Sequence, residues 1–509
     1  MRKLFKLLTG RLCTTIILLL IQMIVIITIL LYLSTYYGYF QIFFTLISTA
    51  IGIYIINKNE NPIYKIAWLI PIILSPILGG CLYLLFGKRH TRSHVGGKIL
   101  EIQKSTQNML PENAHYLKEL QELNPLAAKH SQFIYRDTFR PVWKNTQTEF
   151  LSPGERFYEV LMEELQKAEH FIFMEYFILD EGKMRDTIMD LLIQKAAQGV
   201  EVRFLYDDMG TIQLLPRDYD QKLREQGLNV RVFNPFKPSL DSFWNNRDHR
   251  KITVIDGHVG FTGGINLADE YINEIERFGY WQDSSIMLKG DAVQNLTLMF
   301  LEMWNFAGPE TSVNDFNRYL PTCSYPSDGY VQPFDDNPID DCLPGELTYI
   351  NIINSATRYV YITTPYLVLD HEMETALCLC ARSGVDVRII TPHIEDKWYV
   401  HVVTRSYYRD LLQGGVKIYE FKPGFIHSKT VVSDDSYAVV GTTNFDFRSF
   451  YLHFECGVWM YQSKAVPQVK EEFLRILESC IPVTEEFLKK IPLYKRMLAV
   501  ILRIFAPLL

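Results

Sequence analysis

His249-Arg-Lys251-Ile-Thr-Val-Ile-Asp256 and His427-Ser-Lys429-Thr-Val-Val-Ser-Asp434 are the two stretches on which the fold turns. Both read His-x-Lys-(x)4-Asp, and each is followed, ten residues after its Asp, by an asparagine: Asn266 and Asn444. The residues between Lys and Asp are strand-like. Alternation along a strand puts His249 and Lys251, or His427 and Lys429, on one side, so that an imidazole and an ammonium point into the same space.

The flanks repeat as well. A helical pattern (Phe157, Val160, Leu161, Leu165) leads through Ala168 into the strand-like run 170–177, as Ala356 leads into 359–364. A second helix (Ile188, Leu191, Leu192, Ala196) ends at Gly199, and the next strand opens Gly-Val-Glu-Val-Arg; the other copy has Gly384-Val-Asp-Val-Arg. Gly227 and Gly415 each precede one more strand before the signature. Helices alternating with short, glycine-bounded apolar strands predict an α/β fold of two duplicated units related by a pseudo-twofold. The units are expected at 141–307 and 346–485, with the Pro-, Asp- and Asn-rich stretch 308–345 between them and a linker at 91–140.

The chemistry follows from the pairing. Lys offers positive charge to the non-bridging oxygens of a phosphodiester, Asn offers hydrogen bonds, and His can attack phosphorus or move a proton. One copy supplies half a site. Two copies across a twofold supply two of each residue, so one His can act as nucleophile while the other protonates the leaving oxygen. No metal or other cofactor is required, since the two Lys provide the charge. Asp256 and Asp434 complete the signature, either in the chemistry or by starting the turn after each strand.

This double signature resembles the phospholipase D superfamily over roughly 143–461. The resemblance implies a covalent phosphohistidine, with His249 as nucleophile and His427 as acid/base. It also implies a carboxylate behind each histidine: Glu455 at that position of the second copy, and Asp283 by repeat position in the first, where about six extra residues intervene. Within the superfamily, Asn61-Pro-Ile-Tyr-Lys-Ile-Ala-Trp68, Leu85-Phe-Gly-Lys, Thr262-Gly-Gly-Ile-Asn266 and Asn444-Phe-Asp446-Phe-Arg448-Ser449 look like bacterial cardiolipin synthases. The reaction so implied moves a phosphatidyl group between two phosphatidylglycerol molecules and releases glycerol.

The first ninety residues differ from the rest. Runs 12–33, 36–56 and 66–86 are apolar, which predicts N-terminal transmembrane helices anchoring the chain. Basic residues on both sides of the third run, with Pro71, Pro76, Gly79 and Gly80 inside it, favour two spans plus a re-entrant segment and a cytoplasmic catalytic part. One departure from the relatives is that third run, because many of them need only two. At the other end, 486–509 is an amphipathic segment. Its apolar stretch 491–509 carries Lys495, Arg496 and Arg503, which suits an interfacial helix or one packed on the protein's own core.

Net charge is −7, but residues 1–110 hold eleven Lys/Arg against two Asp/Glu, leaving about −16 on the remainder. That balance opposes nucleic acid as a partner; the resemblance implies the membrane and its phosphatidylglycerol instead. A hydrolase using water, a nuclease and a non-enzymatic scaffold are the competing classes. The eight scattered cysteines, Cys378 and Cys380 included, read as small buried hydrophobes in a reducing compartment.

Overall fold

The computed structural model describes residue 20 and residues 22–24, 26–28, 37–58, 61–87, 94–236, 245–339 and 342–506. It divides into two compact units. One holds the N-terminal helices, the other the residues from 94 onward apart from a short stretch at 236–244.

In the N-terminal unit, α1 (Tyr37–Asn57) is 21 residues long and has no charged side chain. Tyr37, Gly38, Tyr39 and Gln41 at its start and Asn57 at its end shorten its apolar part. The third apolar run is two helices, α2 (Pro62–Leu74) and α3 (Pro76–Phe86). Asn61 caps α2 through its side chain, and Ser75 turns extended before Pro76, which cannot continue the helix it follows. Among the described residues no helix is long and apolar enough to cross a membrane. The transmembrane expectation therefore finds no support in the helices observed. Run 12–33 lies largely outside the described residues.

The larger unit opens with α4 (His94–Thr106), α5 (Ala114–Leu123) and α6 (Pro125–Thr138), which occupy the stretch expected as a linker. The first repeat then contains β1 (Thr146–Leu151), α7 (Gly154–Lys167), β2 (Phe171–Tyr176), α8 (Lys183–Ala197), β3 (Glu201–Asp207), β4 (Asn229–Phe233), β5 (Arg247–Asp248), β6 (Ile252–Ile255), β7 (Val259–Gly263), β8 (Tyr280–Gln282), β9 (Ser285–Gly290) and α9 (Val293–Ala307). The second contains β10 (Tyr330–Asp336), α10 (Pro344–Ser355), β11 (Tyr359–Thr363), β12 (Leu367–Val368), α11 (His371–Arg382), β13 (Asp386–Pro392), α12 (Trp398–Gln413) and β14 (Lys417–Phe421). It continues with β15 (Gly424–Ile426), β16 (Thr430–Ser433), β17 (Tyr437–Gly441), β18 (Phe445–Asp446), α13 (Phe447–Tyr451), β19 (His453–Tyr461) and α14 (Ala465–Leu477). β20 (Cys480–Pro482), α15 (Glu485–Lys490) and α16 (Leu493–Ile504) end the chain.

The two sheets have one strand order. The first is β1-β9-β7-β6-β2-β3-β4; the second is β10-β19-β17-β16-β11-β13-β14 with β20 added at the edge. In each, a parallel trio toward one side of the sheet (β2-β3-β4, β11-β13-β14) meets an antiparallel set through the signature strand. β2 is buried at every residue and reads as a continuous apolar run broken only by Glu175. That is the pattern of a strand covered on both faces. The duplication expected from the repeats is present, and β10 lies inside the stretch 308–345.

Two short parallel ladders join the lobes. β5, just before His249, pairs with the start of β19 (Arg247 with His453, Asp248 with Phe454). β15, just before His427, pairs with β8 (Phe425 with Trp281, Ile426 with Gln282). Each signature thus begins on backbone belonging to the other repeat: His249 N–H donates to the Phe454 carbonyl at 3.0 Å and His427 N–H to the Gln282 carbonyl at 2.7 Å.

Of the cysteines among the described residues, Cys380 and Cys456 are buried, Cys323 is exposed and the other four are half-buried. Burial was expected of them all and holds for two. Cys13 lies outside the described residues.

Candidate active site

The crossed ladders fix which carboxylate serves which histidine. His249 Nδ1 lies 3.0 Å from both oxygens of Glu455, which follows the β19 pairing. His427 Nδ1 lies 2.7 Å from Asp283, which follows β8. Repeat position assigns each acid to its own copy, whereas the fold exchanges them across the twofold. In both cases the carboxylate favours a proton on Nδ1 and leaves Nε2 as the nitrogen available for chemistry. Glu455 is itself held by the Thr442 hydroxyl, which also accepts from Cys456 N–H at 3.0 Å.

Lys251 and Lys429 are buried beside the rings. Each donates to the carbonyl of its own signature histidine, and Lys429 Nζ lies 2.9 Å from His427 Nδ1. Burial pushes Lys251 down to about 8. Burial, and after it the charge of Lys251, pushes Lys429 down to about 7 against the pull of Asp283. The imidazoles follow the same logic. His249 is held well below its ordinary value by burial and then by the two ammoniums. His427 is pushed to about 4, burial first and Lys429 next, with Asp283 opposing. A phosphodiester monoanion bound beside these groups would favour their charged forms.

The other expected residues fall into place unevenly. Asn266 is engaged within its own lobe: its Oδ1 accepts from Ile178 N–H at 3.0 Å and its Nδ2 donates to the Tyr271 hydroxyl at 2.7 Å. Asn444 is buried with an unpartnered Oδ1. Asp256 and Asp434 are not brought to the histidines. Each sits at a positive-φ turn at the far end of its signature strand. Asp256 accepts from the backbone N–H groups of Glu169, His170 and Phe171 at 2.7–2.8 Å. Asp434 does the same for Thr357, Arg358 and Tyr359 at 2.7–2.9 Å. Of the two roles open to them in sequence, the turn-starting one is what these contacts show, since those amides open β2 and β11 and need acceptors.

Residues that the motif does not mark also shape the site. His453 lies two residues before Glu455, with its ring 5.2 Å from that of His249 and its Nδ1 3.6 Å from Glu455. Period-two alternation from Glu455 was the signal for it. The same position in the other lobe, two residues before Asp283, is Trp281, whose ring is 5.4 Å from His427. Asp207 anchors β5 from below, taking Arg247 Nε at 2.9 Å and Asp248 N–H at 3.1 Å. His249, His453 and Glu455 have donor atoms within 4.8 Å of one another, near enough to share a metal ion. A dication there would face the repulsion of both ammoniums.

Chain-wide similarity agrees with this geometry. A family model described as "Cardiolipin synthase, PLD-like domain" matches residues 161–304 and 349–477, one match per lobe. A second, described as "Phospholipase_D-nuclease N-terminal", matches residues 46–88. A cardiolipin synthase of Alkalihalophilus pseudofirmus is 35 % identical over 480 residues, 93 % of this chain and 94 % of that one. The chain belongs to the cardiolipin synthase family. Another cardiolipin synthase, from Halalkalibacterium halodurans, is 34 % identical over 93 % of this chain and 94 % of its own. An uncharacterized protein of Streptococcus mutans is 43 % identical over 90 % and 99 % respectively. In fold, the crystal structure of a phosphatidylserine synthase from Haemophilus influenzae superposes with a TM-score of 0.58 at 14 % identity, covering 75 % of this chain and 97 % of that one. Membership of the cardiolipin synthase family makes the chain a phosphatidyltransferase.

Proposed function

We propose that the chain condenses two phosphatidylglycerol molecules into cardiolipin and glycerol through a phosphohistidine. His249 Nε2 attacks phosphorus as the P–O bond to the headgroup glycerol breaks, and His427 gives that oxygen its proton. The terminal hydroxyl of a second phosphatidylglycerol then gives its proton back to His427 and attacks phosphorus, breaking the P–N bond. Lys251 and Lys429 balance the charge on the non-bridging oxygens, with Asn444 as a hydrogen-bond partner. What carries this reading is the crossed pair His249–Glu455 and His427–Asp283 beside two buried lysines.

The N-terminal unit is the membrane anchor in this reading, supported by the uncharged α1 and by the N-terminal match to residues 46–88. The catalytic unit then faces the cytoplasm. The test is to supply purified, detergent-solubilised protein with phosphatidylglycerol and separate the products, alongside His249→Ala and His427→Ala. Cardiolipin and glycerol, lost in both variants, support the proposal. Phosphatidic acid as the sole product would replace the synthase with a hydrolase.

A further inference from the structure

α16 is amphipathic the wrong way round for a helix resting on a protein surface. Leu493, Tyr494, Met497, Val500 and Ile501 are 69, 66, 64, 67 and 56 % exposed. At about 100° per residue they occupy one arc of about 120°. The inward side carries Ala499, which is buried, and Arg503, whose guanidinium donates to Asp410 at 2.9 Å and stands 4.1 Å from the Tyr407 ring centre. Arg496 turns back onto the carbonyls of Ile491 and Lys489, both at 2.8 Å. Its arginines are thus engaged by the protein, and its apolar row is left facing solvent.

We propose that α16 is a bilayer-docking helix that lies in the headgroup region of an anionic membrane. A row of this width, with a tyrosine beside it, matches the apolar face of an interfacial helix. Lys489 and Lys490 are exposed one turn before it, while residues 487–506 contain no Asp or Glu. That charge complements anionic lipid and opposes an isologous contact with a second copy, which would set the same lysines against each other.

Docking there also bears on catalysis, a consequence that rests on the proposed phosphatidylglycerol chemistry. α16 packs on α12. α12 begins beside the site: Lys397, just before it, is among the charges acting on His249 and stands 5.3 Å from the ring centre of half-buried Tyr366, and Trp398 is exposed.

The test uses the full chain in proteoliposomes of phosphatidylglycerol and phosphatidylcholine, with a benzophenone amino acid at position 497. Photolysis is expected to couple it to lipid acyl chains. A crosslink to a second copy, or none to lipid, overturns the proposal. In parallel, Met497→Glu with Val500→Glu is expected to lower at least tenfold the ratio of turnover on bilayer phosphatidylglycerol to turnover on dispersed short-chain phosphatidylglycerol. An unchanged ratio overturns it as well. Crosslinking needs no turnover, so loss of the synthase reading would leave this result interpretable.

Discussion

Glu455→Gln is the substitution that most directly interrogates the crossed site. It keeps the side chain's shape and removes the negative charge that faces His249 Nδ1 at 3.0 Å. In phosphohistidine the ring carries positive charge, which the carboxylate stabilises. With charge centres ~4 Å apart and an effective dielectric constant of ~20, that interaction is worth about 4 kcal/mol. At ~1.4 kcal/mol per decade this corresponds to roughly three orders of magnitude in rate. The glutamine carbonyl still accepts from Nδ1–H and recovers part of the loss, so kcat is expected to fall about 100- to 1,000-fold with KM little changed. The assay is the initial rate of cardiolipin formation in mixed micelles, with acid-labile phosphate on the protein counted after a rapid quench. Glu455→Gln should show both slow turnover and little covalent intermediate. A rate within threefold of wild type, in protein that melts normally, would refute the assignment of Glu455 to His249.

Asp283→Asn should behave differently: with His427 disabled as a base, covalent phosphate on His249 persists after the quench, and tandem mass spectrometry locates it. Asp256→Ala strips the acceptor from three strand-opening amides and is expected to cost about 2–4 kcal/mol in denaturant unfolding while the folded fraction keeps near-normal kcat. Asp207→Asn leaves buried Arg247 with a neutral partner, and a loss of about 3–5 kcal/mol is expected by the same measurement. Lys251 and Lys429, at about 8 and about 7, bind fewer protons folded than unfolded, where the ordinary value is 10.5. Their contribution to stability therefore rises from about pH 7 to about pH 10. Melting scans of wild type against Lys429→Met should show this slope reduced, and saturating inorganic phosphate, which favours the charged lysines, should flatten it in wild type.

The signatures and the flanking strands were legible because a duplicated pattern repeats every local cue twice. The exchange of Glu455 and Asp283 was not, because it depends on the β5–β19 and β15–β8 ladders, two or three residues each, which carry no periodicity of their own. Asp256 and Asp434 share the motif's spacing yet serve backbone amides, since a strand places residues seven apart about 23 Å from end to end. Asn266 shows a related limit: a motif records which residues are present and not which partners they meet in the fold. The third apolar run shows how proline decides a helix boundary that hydropathy alone runs across.

The two halves of the site are not equivalent, and the inequality bears on the division of labour. His427 is walled by aromatic rings: Tyr271 at 5.5 Å, Trp281 at 5.4 Å and Phe425 at 6.0 Å. Burial among these rings lowers His427 overall, while aromatic faces attract the imidazolium once it forms and so offset part of that cost for an acid. His249 has Phe177 at 5.0 Å and, where the other lobe has Trp281, a second imidazole in His453. His453 is pushed down to about 3, burial first, and so stands there neutral. A neutral imidazole beside His249, together with the two ammoniums, disfavours protonation of its Nε2 and keeps that lone pair free to attack phosphorus. The same distinction predicts that His453→Trp, which copies the His427 surround, raises the pH at which His249 protonates and shifts the acidic limb of the rate profile upward. A limb that does not move would remove this argument for His249 as the nucleophile.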